Sequence, residues 1–400
     1  MMERLYYDDA YLTRFEAKVL SCEPCKEGWR VLLDRSAFYP TSGGQPYDTG
    51  TLGGARVTNV EVENGEVVHT TDAPLTAGET AEGVIDWPRR FDHMQQHAAD
   101  HMIAGCIHRT LRGVTIGLHT GDEVSSIDVQ MPDGETHLPP ETIRAIEQDV
   151  NGHIMRDVPI RCWFPDEKEL AELPLRKAPT VTEHVRVVAI GDDEMVACGG
   201  THPSTAGQVG VVKILSCAPA RGKMRVTFVA GNRALKELFA CYDSAHAASA
   251  LLTTSAANLP DAVSAMKERV LTQERELTRL KRERLPERAA MLLKDAERAG
   301  SVRLISAIVP EEVPLAKELC SMLAENAAAV ALIGSVQGGN VSYIFGRSKD
   351  VGLSMGDLMR SAAKVCGGKG GGKPDFAQGS GPEAMLAIAA GLAKEALADA

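Results

Sequence analysis

Aromatic residues are scarce in this 400-residue chain, where phenylalanine, tyrosine and tryptophan together make up 4%. Because aromatic stacking is a main way of binding single-stranded nucleic acid, the sequence predicts few stacking surfaces. Basic residues are also a minority, with 43 Lys and Arg against 54 Asp and Glu and a formal net charge of -11. A general nucleic-acid binder is normally basic, so this balance argues against one, although it permits a local basic stripe.

The chain contains no uninterrupted hydrophobic run approaching about 18 residues, so we expect no transmembrane helix. Its start, Met1–Asp9, lacks the basic and apolar segments of a secretory signal peptide. The nine cysteines are odd in number and scattered from Cys22 to Cys366. That distribution suits a reducing compartment better than a disulfide framework. These features predict a cytoplasmic protein that does not use a membrane.

The length of 400 residues exceeds what one hydrophobic core usually serves, so several domains are expected. Apolar residues at 44% and charged residues at 24% are typical of a globular protein. Changes of pattern along the chain predict a multidomain α+β protein. Its expected parts are an N-terminal β-barrel-like domain at 1–85, an α+β domain at 86–232, a helical spacer at 233–300 and a C-terminal α/β domain at 301–400.

The N-terminal part contains several short strand candidates. Asn64-Gly65 separates apolar-containing runs at 55–62 and 66–70, and an Asn-Gly pair in this setting predicts a β-hairpin. A small β-barrel or sandwich fits these strands. Near Pro88 the pattern changes, because apolar residues then recur at helical spacing.

Residues 233–299 are predicted to be almost entirely helical, and Pro286 should kink or end a helix there. An apolar stripe of roughly heptad spacing consists of Val263, Met266, Val270, Leu277 and Leu280. The stripe favours a helical hairpin that acts as a spacer or dimerisation arm, so a homodimer through this spacer or the C-terminal domain is expected. Glutamates between its basic residues make direct contact with nucleic acid the weaker interpretation.

The last hundred residues alternate again between strands and helices. Strands are predicted at 302–309, 329–335 and 340–345, and helices at 311–325, 354–365 and 382–398. The glycine-rich segment 367–379 lies between the last two helices. Gly367–Lys373 fits the GxxxxGK spacing of a phosphate loop, but Pro374 stands where such a loop needs Ser or Thr for its magnesium ion. Nucleotide binding is therefore not expected.

Two histidine- and cysteine-containing motifs point to a metal site. Three histidines at four-residue spacing, His93, His97 and His101, lie on the predicted helix. Any adjacent two share one helical face and could bind one ion. Later, Cys198 and His202 flank two glycines that allow a sharp turn. Together these motifs supply nitrogen and sulfur donors suited to tetrahedral Zn²⁺.

The same residues exclude two common kinds of zinc enzyme. A helical zinc protease needs HExxH, in which the glutamate is the general base, and Ala98 occupies that position here. The HxE and PCxxC pattern of nucleoside deaminases is absent as well. Cys22 and Cys25 form a competing CxxC, but no second CxxC pair lies nearby.

These motifs, in this order and spacing, resemble the alanyl-tRNA editing proteins of the AlaX type, free-standing relatives of the editing domain of alanyl-tRNA synthetase. The resemblance covers about residues 1–232. The matching segments are Phe38–Pro46 (FYPTSGGQP), Asp48–Gly50, the pair His97 and His101, Cys198–His202 (CGGTH) and Thr205–Gly210. The resemblance implies that His97, His101, Cys198 and His202 are the zinc ligands, whereas His93 is not.

Residues Gly370–Gly379 resemble the C-terminal domain of the same synthetase, which also occurs in DHH-type phosphoesterases. An editing core, a helical spacer and this domain together match the long form of AlaX. The resemblance implies that the domain docks the tRNA backbone. Lys369 and Lys373 would supply charge, the glycines would permit close approach, and Gln378 would be a further contact residue.

The resemblance implies a trans-editing hydrolase with Zn²⁺ as cofactor and mischarged tRNA for alanine as partner. Such an enzyme hydrolyses the ester that joins a wrong amino acid, chiefly serine and sometimes glycine, to that tRNA. Zinc could activate water or hold substrate and water together, and the ligand identities do not decide between these roles. Two alternatives stay open, a zinc hydrolase for another acyl ester and a non-catalytic tRNA-binding protein with structural zinc. The C-terminal domain favours tRNA over a small ester.

Gln45, Asp100 and Thr201 are the candidates for catalysis. Gln45 matches the glutamine of the family's SGGQ loop near the amino-acid pocket, and its alternative role is a turn-stabilising hydrogen bond. Asp100 could be a base, a partner of a ligating histidine or a solvated helix residue. Backbone amides around Gly199–Thr201 lie beside two ligands in the sequence and could bind a developing oxyanion.

This chain departs from the family pattern between the two helical ligands. Relatives commonly have threonine directly after the first zinc histidine, and threonine or glutamine directly before the second. Ala98 and Asp100 stand there instead, so the hydroxyl that helps to bind a seryl side chain is absent at both positions. The preference for serine is therefore left open. His119 is also expected near the pocket.

Overall fold

The computed structural model describes residues 2–179, 181, 183–337 and 340–398. The chain divides into two compact units, Met1–Ala247 and Ala248–Ala400. Each unit combines helices with β-sheets, which confirms a multidomain α+β protein. The finer domain boundaries given by the sequence stay predictions. None of the helices among these residues is long and apolar enough to cross a membrane.

The first unit contains several sheets and the helices that cover them. Its strands are β1 (Glu3–Arg4), β2 (Arg14–Cys25), β3 (Gly28–Leu33), β4 (Arg35–Ser36), β5 (Gly50–Leu52), β6 (Ala55–Glu63), β7 (Glu66–Thr71), β8 (Thr80–Ile85), β9 (Val114–Thr120), β10 (Ser125–Gln130), β11 (Ile160–Trp163), β12 (Val187–Ile190), β13 (Glu194–Ala197), β14 (Val212–Ala220) and β15 (Lys223–Ala230). Its helices are α1 (Leu5–Asp8), α2 (Trp87–Leu111), α3 (Pro140–Met155), α4 (Glu167–Glu172) and α5 (Gly231–Leu251), with a 3-10 turn at Ala206–Val209.

Six strands close into a ring in the order β2-β3-β7-β6-β5-β8, because β8 pairs back onto β2. The ring encloses a hydrophobic core of its own, which includes Phe38. Strands β6 and β7 join through Asn64 and Gly65, both with positive φ, and Glu63 pairs with Glu66 across the turn. The predicted Asn-Gly hairpin is therefore confirmed.

Helix α2 packs against α3 and against the sheet β14-β15-β10-β9, and it is buried along most of its length. Asp86 caps its start by accepting a hydrogen bond from the Arg89 N–H (3.4 Å). Its buried polar side chains need partners from other elements. Gln96, for example, accepts from the Ala230 N–H (2.9 Å) and donates to the Ala230 carbonyl oxygen (3.0 Å). Polar residues on α2 therefore mark where the helix meets the rest of the unit.

The second unit is built on one six-stranded sheet in the order β16-β17-β18-β19-β21-β20. Its strands are β16 (Glu297–Ala299), β17 (Val302–Val309), β18 (Ala329–Gln337), β19 (Asn340–Arg347), β20 (Lys369–Gly372) and β21 (Phe376–Gly381). Its helices are α6 (Leu259–Glu283), α7 (Leu285–Lys294), α8 (Val313–Ala324), α9 (Met355–Cys366) and α10 (Ala384–Ala398), with a 3-10 turn at Ala256–Asn258.

Helices cover both faces of this sheet. Helices α7 and α8 pack on one face in a core that includes Ile305 and Ile344, whereas α9 and α10 pack on the other in a core that includes Leu304 and Tyr343. Strands and helices alternate along this unit, but its sheet is mostly antiparallel. Among the described strands of this sheet, β17 and β18 pair in parallel and the other neighbours are antiparallel. Antiparallel neighbours need only short hairpins, and β18–β19 and β20–β21 are local pairs of that kind.

The glycine-rich segment forms strands β20 and β21, which the sequence did not predict because glycine is rare in strands. A Cβ atom at Gly370 would lie 2.7 Å from the Gly379 Cα and 2.8 Å from the Met359 Cγ. Only glycine therefore allows the two strands and helix α9 to approach so closely.

Helix α6 contains no buried residue, and the side chains of its apolar stripe are exposed, from 42% at Val270 to 53% at Leu277. It ends at Glu283, and Pro286 lies in the first turn of α7, which confirms the predicted break. The homodimer expected from this stripe stays a prediction.

Candidate metal centre and its cavity

All four predicted ligands lie together in the first unit. His97 and His101 come from one face of α2, and Cys198 and His202 come from the loop after β13. The four ligand atoms lie within 4.8 Å of one another. The Cys198 Sγ is 3.4 Å from both the His97 Nε2 and the His202 Nε2. A spacing of four residues on a helix and a short two-glycine loop thus converge on one point.

The chemistry of this cluster fits a metal ion. Both ring nitrogens of His101 and the Nδ1 of His202 are buried without a hydrogen-bond partner among the described residues. Unpaired buried polar atoms are costly, and a bound cation would satisfy them. Burial, followed by the nearby Arg186, lowers the pKa of His97 to about 3, so its imidazole is neutral, as a ligand must be. Three imidazoles and one thiolate suit Zn²⁺.

The Cys198 thiol would need a bound cation in order to ionise. Burial raises the pKa of Cys198 to about 12, although its hydrogen bond from the Gly200 N–H opposes that change. A cation coordinated by sulfur removes the proton from such a thiol. The cluster would therefore hold a metal ion through neutral nitrogen donors and one sulfur, which would become charged when the ion binds.

Gln45 contacts His97 at the ring nitrogen that does not face the cluster. Its Oε1 accepts from the His97 Nδ1–H (2.8 Å) and from the Thr201 N–H (3.2 Å), while its Nε2 donates to the Thr201 Oγ1 (2.8 Å). A backbone N–H can only donate, so this network fixes the orientation of the amide. The His97 Nε2 is thereby left without its proton and faces the cluster. Gln45 and Thr201 are both fully buried, and neither lines the cavity described below.

The Cys198–His202 loop lies directly on the His97 ring. A Cβ atom at Gly200 would be 2.2 Å from the His97 Cε1, so this position requires glycine. The Gly200 N–H donates to the Cys198 Sγ (3.3 Å), and the Thr201 N–H is bound to Gln45 as noted. Both of these amides already have acceptors, so neither is free to bind an oxyanion in this arrangement, and the role expected for the amides around Gly199–Thr201 stays a prediction.

Arg186 holds the same loop and was not singled out by the sequence. Its Nη1 donates to the carbonyl oxygens of Gly200 (2.7 Å) and Cys198 (3.2 Å). The contact arises because β12 and β13 form a hairpin in which Val187 pairs with Ala197. No sequence spacing signals this pairing. Arg186 is 6% exposed, and its Nε has no hydrogen-bond partner in the described part of the chain.

The cluster opens into a cavity of about 1000 Å³. Its wall includes His97, His101, Cys198, Arg186 and the edge strand β9. Asp100 also lines it. The cavity is the place where a substrate can reach the cluster.

Asp100 and Ala98 have different surroundings. Asp100 is 3% exposed, so it is not a solvated helix residue, and its Oδ1 has no partner among the described residues. Burial raises the pKa of Asp100 to about 7, although Arg176 opposes the shift. Ala98 is turned by about 100° from His97 around the helix and packs in the hydrophobic core. Of the two departures from the family pattern, only Asp100 therefore faces the cavity.

The remaining sequence-predicted residues are placed as follows. His93 is buried on α2 outside the metal cluster, as expected. His119 lies on β9 but is not among the residues that line the cavity. In the second unit Lys369, Lys373 and Gln378 are all exposed on or beside the β20–β21 hairpin.

Models of three protein families match this chain. The model of class II tRNA synthetases (A) matches residues 5–89, and that of the threonyl and alanyl tRNA synthetase second additional domain matches residues 185–227. The DHHA1 domain model matches residues 313–399. The second of these segments contains the Cys198–His202 loop, and the third contains the glycine-rich hairpin.

Curated relatives match nearly the whole chain. The alanyl-tRNA editing protein AlaX-L of Pyrococcus horikoshii is 28% identical over 406 residues, which cover 97% of this chain and 98% of that protein. Alanine–tRNA ligases of Halorubrum lacusprofundi and Archaeoglobus fulgidus are each 32% identical, over 96% and 94% of this chain. The chain spans 42% of the length of either ligase. The solved C-Ala domain of Aquifex aeolicus alanyl-tRNA synthetase matches 26% of this chain and 97% of that domain at 29% identity, with a TM-score of 0.24.

Proposed function

We propose that this chain, which resembles a long-form alanyl-tRNA editing protein over nearly the whole of both sequences, is a trans-editing hydrolase. Its substrate is the ester that joins a wrong amino acid, serine or glycine, to the tRNA for alanine. The observation that supports this most directly is that His97, His101 and Cys198 line a large cavity. A purely structural zinc site is closed and needs no such access.

The cofactor that we propose is Zn²⁺, held by His97, His101, Cys198 and His202. When bound, it would supply a positive charge that lowers the pKa of water or polarises the ester carbonyl. Gln45 is a positioning residue in this scheme, because it holds His97 in the tautomer that presents Nε2 to the cluster. Thr201 in turn orients Gln45.

Arg186 adds a fixed positive charge to the same wall. Its buried guanidinium lies beside the carbonyl oxygens of Cys198 and Gly200, and its Nε is unpaired among the described groups. A preorganised cation at this place stabilises the negative charge that develops on the carbonyl oxygen of a reacting ester. We assign this role to Arg186 instead of the backbone amides of Gly200 and Thr201.

Asp100 is the candidate general base. Its carboxylate lines the cavity between the two helical ligands, and its Oδ1 is free, within the described residues, to accept a hydrogen bond from an attacking water. A general base must lie within hydrogen-bond reach of the proton that it removes. Asp100 is the carboxylate nearest in sequence to the ligands.

The test of this function is a deacylation assay with seryl-, glycyl- and alanyl-tRNA for alanine and the zinc-loaded full-length protein. We expect serine or glycine to be released faster than alanine, and metal-stripped protein to regain activity only when Zn²⁺ is restored. No release of serine or glycine by the zinc-loaded protein would overturn the proposal.

The same assay separates the two alternatives. Hydrolysis of small acyl esters without release from any of the three tRNAs would indicate a zinc hydrolase with another substrate. A tightly bound zinc ion, together with tRNA binding and no hydrolysis, would indicate a structural zinc, as in many sites with four protein ligands.

We further propose that the β20–β21 hairpin docks the tRNA backbone through Lys369, Lys373 and Gln378. Replacing Lys369 and Lys373 together by alanine should weaken tRNA binding and make it less steeply dependent on salt, by about two in the log–log slope. Zinc content should not change. Lys317→Ala is the matched control. Lys317 lies on α8, which packs on the opposite face of the sheet from α9. Unchanged affinity and slope in the double variant would contradict this docking site.

A further inference from the structure

The cavity has an aromatic wall that the proposed ester chemistry does not use. Phe164 follows strand β11 and lines the cavity with 47% of its surface exposed. The exposed aromatic side chains of the described residues are those of Phe164, Phe239 and Tyr242, and Phe164 is the one that lines the cavity. Its ring offers a planar apolar face to a ligand in the cavity, whereas Ile116 and Val181, which are also exposed in the wall, offer only aliphatic surface.

Tyr7 connects this ring to the metal cluster. Its ring centroid lies 5.5 Å from that of Phe164, at an interplanar angle of 77°. The Tyr7 Oη is 3.3 Å from the position of a Cβ atom at Gly199, next to the ligand Cys198. Phe164 therefore lies about one tyrosine side chain beyond the loop that holds two of the ligands. Tyr7 also packs under the Arg186 guanidinium, whose Cζ is 5.4 Å from its ring centroid, so its position is fixed from several sides.

The cavity wall also offers a cation to a phosphorylated ligand. The lining includes four basic side chains, Arg4, Arg176, Lys177 and Arg186, and three acidic ones, Asp8, Asp100 and Glu183. Arg176 is held in an ion pair with the buried Glu194 (2.7 Å). Lys177 is exposed and makes no ion pair with the described residues. A wall that combines a stacking ring with an exposed, unpaired lysine fits the base and the phosphate of a nucleotide.

We infer that Phe164 stacks against the nucleobase of the terminal nucleotide of the RNA, while the aminoacyl ester on its ribose lies at the metal cluster. The inference rests on the proposed function, because it assumes an RNA 3′ end in this cavity. The aminoacyl side chain is not the partner of Phe164. Serine and glycine offer no planar apolar face, and the Tyr7 ring separates Phe164 from the ligand loop.

If Phe164 stacks on one base, removing its ring should lower the activity on the aminoacylated RNA by the energy of one stacking contact. Phe164→Ala should lower kcat/KM for the aminoacylated RNA about 10- to 100-fold, mainly through KM. Phe164→Trp should keep near-normal values because it keeps an aromatic face. Phe164→Leu, which keeps apolar area without a π-face, should resemble Phe164→Ala. Zinc content and thermal unfolding should match the wild type in all three variants, because the ring is half exposed.

The decisive experiment combines these variants with a changed RNA. Two chemically aminoacylated acceptor-stem RNAs are compared, one with a normal 3′-terminal adenosine and one with an abasic 3′-terminal ribose. Wild type should lose about as much on the abasic RNA as Phe164→Ala loses on the normal RNA, and Phe164→Ala should lose nothing further on the abasic RNA. If Phe164→Ala is slower than the wild type by the same factor on the abasic RNA as on the normal RNA, or is no slower on either, the stacking assignment is overturned. Failure of the wild type to hydrolyse either RNA would instead overturn the proposed function.

Discussion

Protein that carries His97→Ala is expected to lose its bound zinc and its hydrolytic activity together. His97 is one of the four proposed ligands, and its Nδ1–H donates to Gln45, which fixes the orientation of the ring. Removing it leaves an incomplete donor set and a hole where a pre-oriented nitrogen stood. Because the charge of a catalytic metal stabilises a transition state by several kcal/mol, the rate should fall by on the order of 10³-fold.

The measurements are the molar zinc content of purified protein and the deacylation rate at fixed tRNA concentration. His93→Ala is the control. His93 lies one helical turn earlier on α2 and is equally buried, but it is outside the cluster, so the variant should keep its zinc. Zinc lost with activity retained would make the ion structural. Zinc and activity both retained would remove His97 from the site.

The four ligands could be predicted from the sequence because each pair is local. His97 and His101 are joined by helical periodicity, and Cys198 and His202 by a loop too short to separate them. That both pairs serve one metal site was predicted from the two motifs together, and the family resemblance then selected His97 and His101 over His93. The hairpin at Asn64-Gly65 was likewise predictable, since its two residues specify the turn by themselves.

The residues that the sequence missed depend on contacts between distant segments. Arg186 reaches the ligand loop through the pairing of β12 with β13, and Phe164 lines the cavity beside Tyr7, which is distant from it in the sequence. Neither relation leaves a pattern in the chain. The sequence identified Gln45 as a candidate site residue but not its hydrogen bond with His97. The resemblance placed Gln45 near the amino-acid pocket, and the two residues are 52 positions apart in the chain.

A second long-range contact, between Arg90 and Asp48, predicts that Arg90→Met will be much less stable than the wild type. Arg90 and Asp48 form a completely buried ion pair, with the Arg90 Nε 2.9 Å from each carboxylate oxygen. Arg90 also donates to the carbonyl oxygens of Ala10 (2.9 Å) and Ala37 (2.6 Å). Methionine fills much of the space but leaves the Asp48 carboxylate buried without its cation. We expect the free energy of unfolding to fall by about 3–5 kcal/mol.

The urea-induced unfolding of this unit can be followed by tryptophan fluorescence, because Trp29, Trp87 and Trp163 all lie before residue 248. Arg14→Met is the matched control. The Arg14–Glu82 pair has 67% and 57% of its side chains exposed, so its loss should cost under about 1 kcal/mol. A loss for Arg90→Met as small as that of the control would show that the buried pair is not a stabilising contact.

The Arg90 variant should also affect the metal site, although Arg90 touches none of the ligands. Asp48 accepts from the Tyr39 N–H (2.6 Å) and donates its own N–H to the Tyr39 carbonyl oxygen (3.0 Å), which closes the loop that carries Gln45. When Asp48 is released, that loop loses its anchor to α2, and Gln45 no longer holds His97 in place. Loss of such a supporting contact typically weakens metal affinity 10- to 100-fold. Zinc affinity should therefore fall in Arg90→Met at urea concentrations where the protein is still folded, and should be unchanged in Arg14→Met.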